Sequence, residues 1–215
     1  MGREFLNVFT GWASEYDSFV EGKDDQYREV FRNYDQILDK IVSNAGQSVM
    51  EFGIGTGNLT LKLLEAGKNV WGIEPSDEMR QLALEKLPED TVVKDGDMQD
   101  YPVPDYPIDT IVSSYVFHHL NDAEKETALK DYAGQLISGG KVVFADTVFA
   151  SDNEKAAILE EAKSLGYDEL VEDLNREYYP MLSTVYDALK SAGFTHISFN
   201  QMNAFVWIFE ATVTH

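Results

Sequence analysis

Four short stretches of the chain combine residue types and spacings that can hold a nucleoside-like ligand and act on a partner beside it. The first is Glu51 with Gly53, Gly55 and Gly57, at the end of the apolar run Ser48-Val49-Met50-Glu51-Phe52. Glycines there permit positive φ and let a ligand lie against bare backbone, although a tight strand-to-helix turn asks for the same residues. The second is Glu74, 17 positions after Gly57, whose two oxygens can accept from both hydroxyls of a ribose; Pro75 and Ser76 behind it also suit an acid opening a helix. The third is Asp97-Met98, a carboxylate for an adenine amino group and a thioether to cover the ring, or simply an acidic turn. The fourth runs from Asp109 to Leu120 and carries Tyr115, His118 and His119. A histidine there can serve as a base near neutral pH and Tyr115 can orient an acceptor, while packing explains an aromatic cluster equally well.

These groups work together only if one architecture brings them to one edge. Strand-like runs at Ser48–Phe52, Asn69–Ile73, Val92-Val93, Thr110–Val112 and Lys141–Ala145 alternate with helical patterns, which predicts a parallel sheet wound on both faces. In such sheets ligands bind beyond the carboxyl ends of the strands, where all four stretches fall. Tyr27, Val30, Phe31, Tyr34, Ile37, Leu38 and Ile41 predict one helix ahead of the first strand. The helix begun at Asn121 or Asp122 is expected to end at Gly139-Gly140, and a helical segment runs from Ser151 to about Tyr179. Asp146, Thr147, Arg176, Tyr178 and Tyr179 then border the space left for an acceptor. A helix at Thr184–Ala192 leads to two closing strands, Phe194–Phe199 and Phe205–Ala211, so closely joined that they must pair antiparallel. The expected division is one domain: a helical cap at 1–46, a cofactor-binding core at 47–147, a helical insertion and substrate lid at 148–183, and the last helix and hairpin at 184–215.

Bulk properties narrow the chemistry. With 215 residues, 44% of them hydrophobic, the chain can bury a full α/β core. The formal charge of −21 opposes binding to nucleic acid or anionic membrane, and no stretch is apolar for a membrane span's length, so a cytoplasmic protein is expected. The absence of cysteine removes disulfides, thiolate metal sites and thiol nucleophiles. His118 and His119 lack the spacing that sets two imidazoles on one helix face, so no metal is expected. A nicotinamide-dependent oxidoreductase is the competing enzyme, but the dinucleotide glycine pattern begun at Gly53 meets Asn58 in its third place. A cofactor-binding protein without turnover is the third reading.

Taken together, Val49–Gly57, Glu74, Asp97, Asp109–Leu120 and Leu136-Ile137-Ser138-Gly139-Gly140 resemble, in order, the class I S-adenosylmethionine-dependent methyltransferases, in particular a group of bacterial small-molecule enzymes. The resemblance implies a Rossmann-like, doubly wound, mostly parallel seven-stranded sheet with a C-terminal antiparallel hairpin and an N-terminal helical cap. It also implies S-adenosylmethionine as cofactor, a small-molecule acceptor, no nucleic-acid partner, and a monomer or homodimer. Gly53 and Gly55 would lie along the methionine part of the cofactor, Glu51 near its ammonium end, Glu74 on the ribose, and Asp97 with Met98 at the adenine. Phe9–Asp17 is similar to the segment that folds over the cofactor, with Tyr16 closing the site. Ser138 departs from the proline common before the two glycines, which affects a turn and no contact.

Overall fold

Alternating apolar strands and amphipathic helices close, in the computed structural model, into a seven-stranded sheet; residues 16–214 are described. The elements are α1 (Tyr16–Val20), α2 (Tyr34–Asn44), β1 (Ser48–Phe52), α3 (Asn58–Glu65), β2 (Asn69–Ile73), α4 (Asp77–Lys86), β3 (Val92–Lys94) and β4 (Ile108–Ser114). A single 3-10 turn (Phe117–His119) precedes α5 (Asp122–Gln135), β5 (Leu136–Thr147), α6 (Asp152–Leu165), α7 (Asp168–Arg176), α8 (Leu182–Ser191), β6 (Phe194–Gln201) and β7 (Val206–Val213). Strand order is β3-β2-β1-β4-β5-β7-β6. The first five strands are parallel, and β7 runs antiparallel to both β5 and β6. The predicted sheet and closing hairpin are both present.

Side chains alternate along each strand, so one strand feeds two cores. Val49, Val112 and Val143 face α2 and α3 through Ile37, Leu38, Ile41, Leu59 and Leu63. Met50, Ile111, Val142 and Phe144 face α5 and α8 through Ala128, Leu129, Tyr132, Val185 and Leu189. Burial on both faces is why these strands read as continuous apolar runs rather than as alternating ones. Strand order reverses between β1 and β4, and a crevice opens at their carboxyl ends.

Two expectations about helices are corrected and a third is refined. The helix predicted from Tyr27 to Ile41 exists only from Tyr34, because Asn33 adopts φ 66° and residues 25–33 form turns. The Asn203 amide holds this break open: its Nδ2 donates to the carbonyls of Val30 (3.0 Å) and Arg32 (2.8 Å). The helix begun at Asp122 stops at Gln135, and Leu136–Gly140 form the irregular start of β5. The segment from Ser151 to Tyr179 is two helices divided at Gly166, whose φ of 72° ends α6. Among the described residues no helix is long and apolar enough to cross a membrane.

Candidate active site

The loop after β1 is shaped by the absence of side chains. Gly53 sits at φ 67°, and a Cβ there would fall 2.4 Å from Val116 Cγ2, so glycine alone lets the β1 and β4 loops approach. Gly55, at φ 55°, lies beneath the Tyr16 ring. Its N–H donates to Glu74 Oε2 (2.9 Å), while the Ser76 N–H donates to Oε1 (2.9 Å). Each Glu74 oxygen therefore has one backbone donor, and a carboxylate offers about four acceptor positions. Burial raises the Glu74 carboxyl above its usual range, against those two hydrogen bonds and the charge of Arg80.

Asp97 is fixed in a tight turn in which its Oδ1 accepts from the N–H groups of Gln99 (2.8 Å) and Asp100 (3.0 Å). Met98 beside it is buried, and its carbonyl accepts from the Tyr132 hydroxyl (2.6 Å). Gly53, Gly55, Glu74, Asp97, Met98 and Tyr16 thus line one cavity of about 810 Å³, at the upper end of the range for small-molecule sites. Glu51 does not reach its wall. It lies behind the glycine loop, 1% exposed, and accepts from the Thr60 hydroxyl (2.7 Å). Burial pushes its carboxyl up to about 8, Thr60 opposing and Glu74 adding to the shift.

Above Gly55, α1 is pinned by Asp17, which accepts from Thr56 Oγ1 (2.6 Å), Asn58 Nδ2 (3.1 Å) and Lys86 Nζ (2.9 Å). Asn58, the residue out of place in a dinucleotide pattern, thus helps fasten the cap. Phe9 to Ser14 of the predicted closing segment, and Glu15 with them, lie outside the described residues.

The opposite end of the cavity holds Tyr115, His118 and His119. Tyr115 is in the left-handed region (φ 59°) and packs on Phe31, with ring centroids 5.0 Å apart. Burial pushes its phenol well above 10, with Tyr34 and Asp146 adding, so it remains a neutral hydroxyl. His118 is gripped twice by Asp146, its backbone N–H reaching Oδ2 (2.9 Å) and its Nδ1 meeting Oδ1 (2.6 Å). With a proton on Nδ1 facing Asp146 Oδ1, Nε2 is the ring's acceptor. Burial alone would lower the His118 imidazole, but Asp146 and then Glu177 raise it above its ordinary value. Burial, His118, Lys125 and Arg176 all depress His119.

The two histidine rings were expected to diverge, as neighbours on a helix do. Instead they stand 4.4 Å apart, centroid to centroid, because the 3-10 turn opens into a groove that both imidazoles enter. Glu177, which the sequence reading passed over, enters the same groove from the end of α7. Of the residues expected to border the acceptor space, Thr147, Arg176 and Tyr179 line the cavity, whereas Tyr178 is exposed away from it and Asp146, 1% exposed, is spent on His118 off the wall, a grip that was not anticipated. An acid at the carboxyl end of β5 with a histidine after β4, its neighbour in the sheet, was the available signal.

The chain is similar to known proteins in both sequence and fold. A methyltransferase-domain signature matches residues 50–144, from β1 into β5. The chain is 54% identical over 211 residues to an uncharacterized methyltransferase of Geobacillus thermodenitrificans, covering 98% of each chain. It is 53% identical over 212 residues to one of Bacillus pumilus, again with 98% of each covered. Among solved structures, an S-adenosylmethionine-dependent methyltransferase of Thermotoga maritima, described as a possible histamine N-methyltransferase, superposes with TM-score 0.71 at 17% identity, over 97% of this chain and 99% of that one. The magnesium protoporphyrin IX methyltransferase of Synechocystis PCC 6803, with bound S-adenosylmethionine, does so with TM-score 0.69 at 17% identity, over 99% and 95%. Those two share the fold; the bacillary relatives share the sequence from end to end, and on that ground the chain belongs to the methyltransferase family.

Proposed function

We propose that the chain transfers a methyl group from S-adenosylmethionine to a small-molecule acceptor bound in the same cavity. One observation carries this: a single cavity joins Gly53, Gly55, Glu74, Asp97 and Met98 at one end to Tyr115, His118 and His119 at the other. The donor set fits the cofactor. Glu74 keeps an acceptor position on each oxygen for the two ribose hydroxyls, Asp97 with Met98 suits an adenine edge and face, and the bare backbone at Gly53 and Gly55 accommodates the methionine portion. Glu74 is a buried carboxyl on the cavity wall whose ionised form a cationic ligand would favour.

When bound, the cofactor supplies a methyl group on a sulfonium, open to direct in-line displacement. The protein's task is alignment, exclusion of water and, for a weak nucleophile, removal of a proton. Tyr16 on α1 covers the donor end, fastened through its neighbour Asp17. Tyr115, a neutral hydroxyl, orients the acceptor. His118 Nε2, aimed by Asp146, takes the proton that the acceptor gives up, with His119 completing the wall. Residues 148–183 form the acceptor-side lid: Glu169, Glu172, Asp173, Arg176, Glu177 and Tyr179 line the cavity. The acceptor is small because it must share the cavity with the cofactor, and it is not a polyanion because the chain's charge opposes one.

Calorimetric titration with S-adenosylhomocysteine and with NAD tests the cofactor; radiolabelled methyl transfer to a panel of small amines, thiols, phenols and acids tests the acceptor. One-to-one binding of the homocysteine form alone, with Asp146→Asn slowing turnover while leaving that binding unchanged, is the expected result. Binding of NAD in its place would overturn the proposal.

A further inference from the structure

Direct methyl displacement needs at most one base, yet the acceptor end gathers two imidazoles and a carboxylate. One ligand-capable atom from each of His118, His119 and Glu177 lies within 4.8 Å of the other two. Atoms sharing a metal at about 2.1 Å stand roughly 3 to 3.5 Å apart, so side-chain adjustment of about an ångström would close the set.

The supports around this cluster are those of a ligand set. Asp146 holds His118 by Nδ1, which leaves Nε2 as the ring nitrogen able to coordinate; a carboxylate behind a ligating imidazole fixes its ring and raises its basicity. Glu177 Oε1 accepts from Arg176 Nη2 (3.2 Å), whereas its Oε2 is buried and accepts from no donor among the described residues. A buried carboxylate oxygen left without a donor costs free energy unless something positive meets it. The two segments that carry the cluster are also locked together. The Tyr178 N–H donates to the His118 carbonyl (3.1 Å), and the buried Lys125 ammonium donates to the carbonyls of Leu120 and Tyr178. The cations nearby are already engaged, Lys125 with those carbonyls and Arg176 with Glu172, Asp173 and Glu177.

We propose that His118, His119 and Glu177 bind one divalent transition-metal ion of the zinc and cobalt kind, with open coordination positions toward the cavity. Two imidazoles with one carboxylate suit such ions, whereas magnesium and calcium prefer all-oxygen cages. An acceptor's oxygen, sulfur or nitrogen would take an open position, and His118 Nε2 would then hold the ion instead of a proton. That last role rests on the methyl-transfer reading; the ion site itself does not.

The test is titration of untagged, metal-stripped protein with Co²⁺, read by its visible absorption, followed by competition with Zn²⁺. One Co²⁺ per chain, displaced by Zn²⁺, is expected. Glu177→Gln and His119→Ala should each weaken binding at least tenfold, and Asp146→Asn by about 10- to 100-fold, the usual cost of losing an imidazole's carboxylate partner. His196→Gln, on the far β6 edge, should leave binding unchanged, and circular dichroism verifies that each variant is folded. No saturable Co²⁺ binding by wild-type protein, or binding at wild-type strength in both Glu177→Gln and His119→Ala, overturns the site. S-adenosylhomocysteine binding, measured on the same preparations, separates the readings. If it persists without Co²⁺ binding, the ion site alone fails; if it is absent while Co²⁺ binds as expected, the methyl-transfer reading alone fails.

Discussion

Replacing Glu74 by glutamine keeps the shape of the side chain and changes its hydrogen-bonding sense. Both carboxylate oxygens face a backbone N–H, from Gly55 and from Ser76, each at 2.9 Å. A glutamine must turn its NH2 toward one of them, setting donor against donor in a residue only 6% exposed. The same exchange removes one of the two acceptors assigned to the ribose and the charge that strengthens the other. A hydrogen bond to a charged group contributes about 1.5–3 kcal/mol, and a buried donor without a partner costs about 1–3 kcal/mol. Part of the second cost is already present in the ligand-free variant, so the net loss on binding is about 2–4 kcal/mol, or about 30- to 900-fold in Kd for S-adenosylhomocysteine. Calorimetry on wild-type and Glu74→Gln protein measures it. Ligands lacking the 2′ or the 3′ hydroxyl complete a double-mutant cycle, since wild-type protein should discriminate against them and the variant much less. A folded Glu74→Gln protein that binds within threefold of wild type, or that discriminates among these ligands as wild type does, refutes the assignment of Glu74 to the ribose.

Gly53→Ala should cost about 2–5 kcal/mol in urea unfolding, through the 2.4 Å approach to Val116 and an unfavourable φ. Adding Val116→Ala should restore the steric part only; no coupling between the two substitutions would mean the loops do not meet there. Glu51 yields a pH dependence. Its folded carboxyl stands near 8 against a reference of 4.5, so the folded state keeps a proton that the unfolded chain releases. The stability it contributes is complete below about 4.5 and drains as pH rises to about 8, by at most about 1.4 kcal/mol per unit. The stability of Glu51→Gln relative to wild type should therefore climb across that window in ligand-free protein, and parallel pH profiles would contradict it. Asn203→Ala should destabilise the fold by about 2–4 kcal/mol, because two carbonyls and the N–H groups of Phe205 and Val206 lose their partner. Faster amide exchange should then appear around residues 30–33 and 203–206.

The elements that position the donor end were legible because their signals are local. Hydrophobic runs, the glycine turn after β1 and strand-end acids each lie within a few residues, and the right-handed crossover rule converts their order into one sheet edge. The helical cap was misread for the opposite reason. Val30 through Ile41 keeps a helical apolar pattern, but an amide some 170 positions away satisfies the carbonyls of Val30 and Arg32 and lets the chain turn at Asn33. Periodicity cannot register a competitor that arrives from the end of the sheet.

The acceptor end divides along the same line. That His118 and His119 follow β4, that Asp146 ends β5, and that an acidic helical segment comes after it were all determined by sequence alone. Only tertiary structure decided that β4 and β5 lie side by side, so that Asp146 meets the His118 ring at 2.6 Å, and that α7 folds back to bring Glu177 beside two converging imidazoles. Residue type and strand order are carried by short-range pattern. The meeting of three side chains from three separate segments is set by packing, which has no signature in spacing.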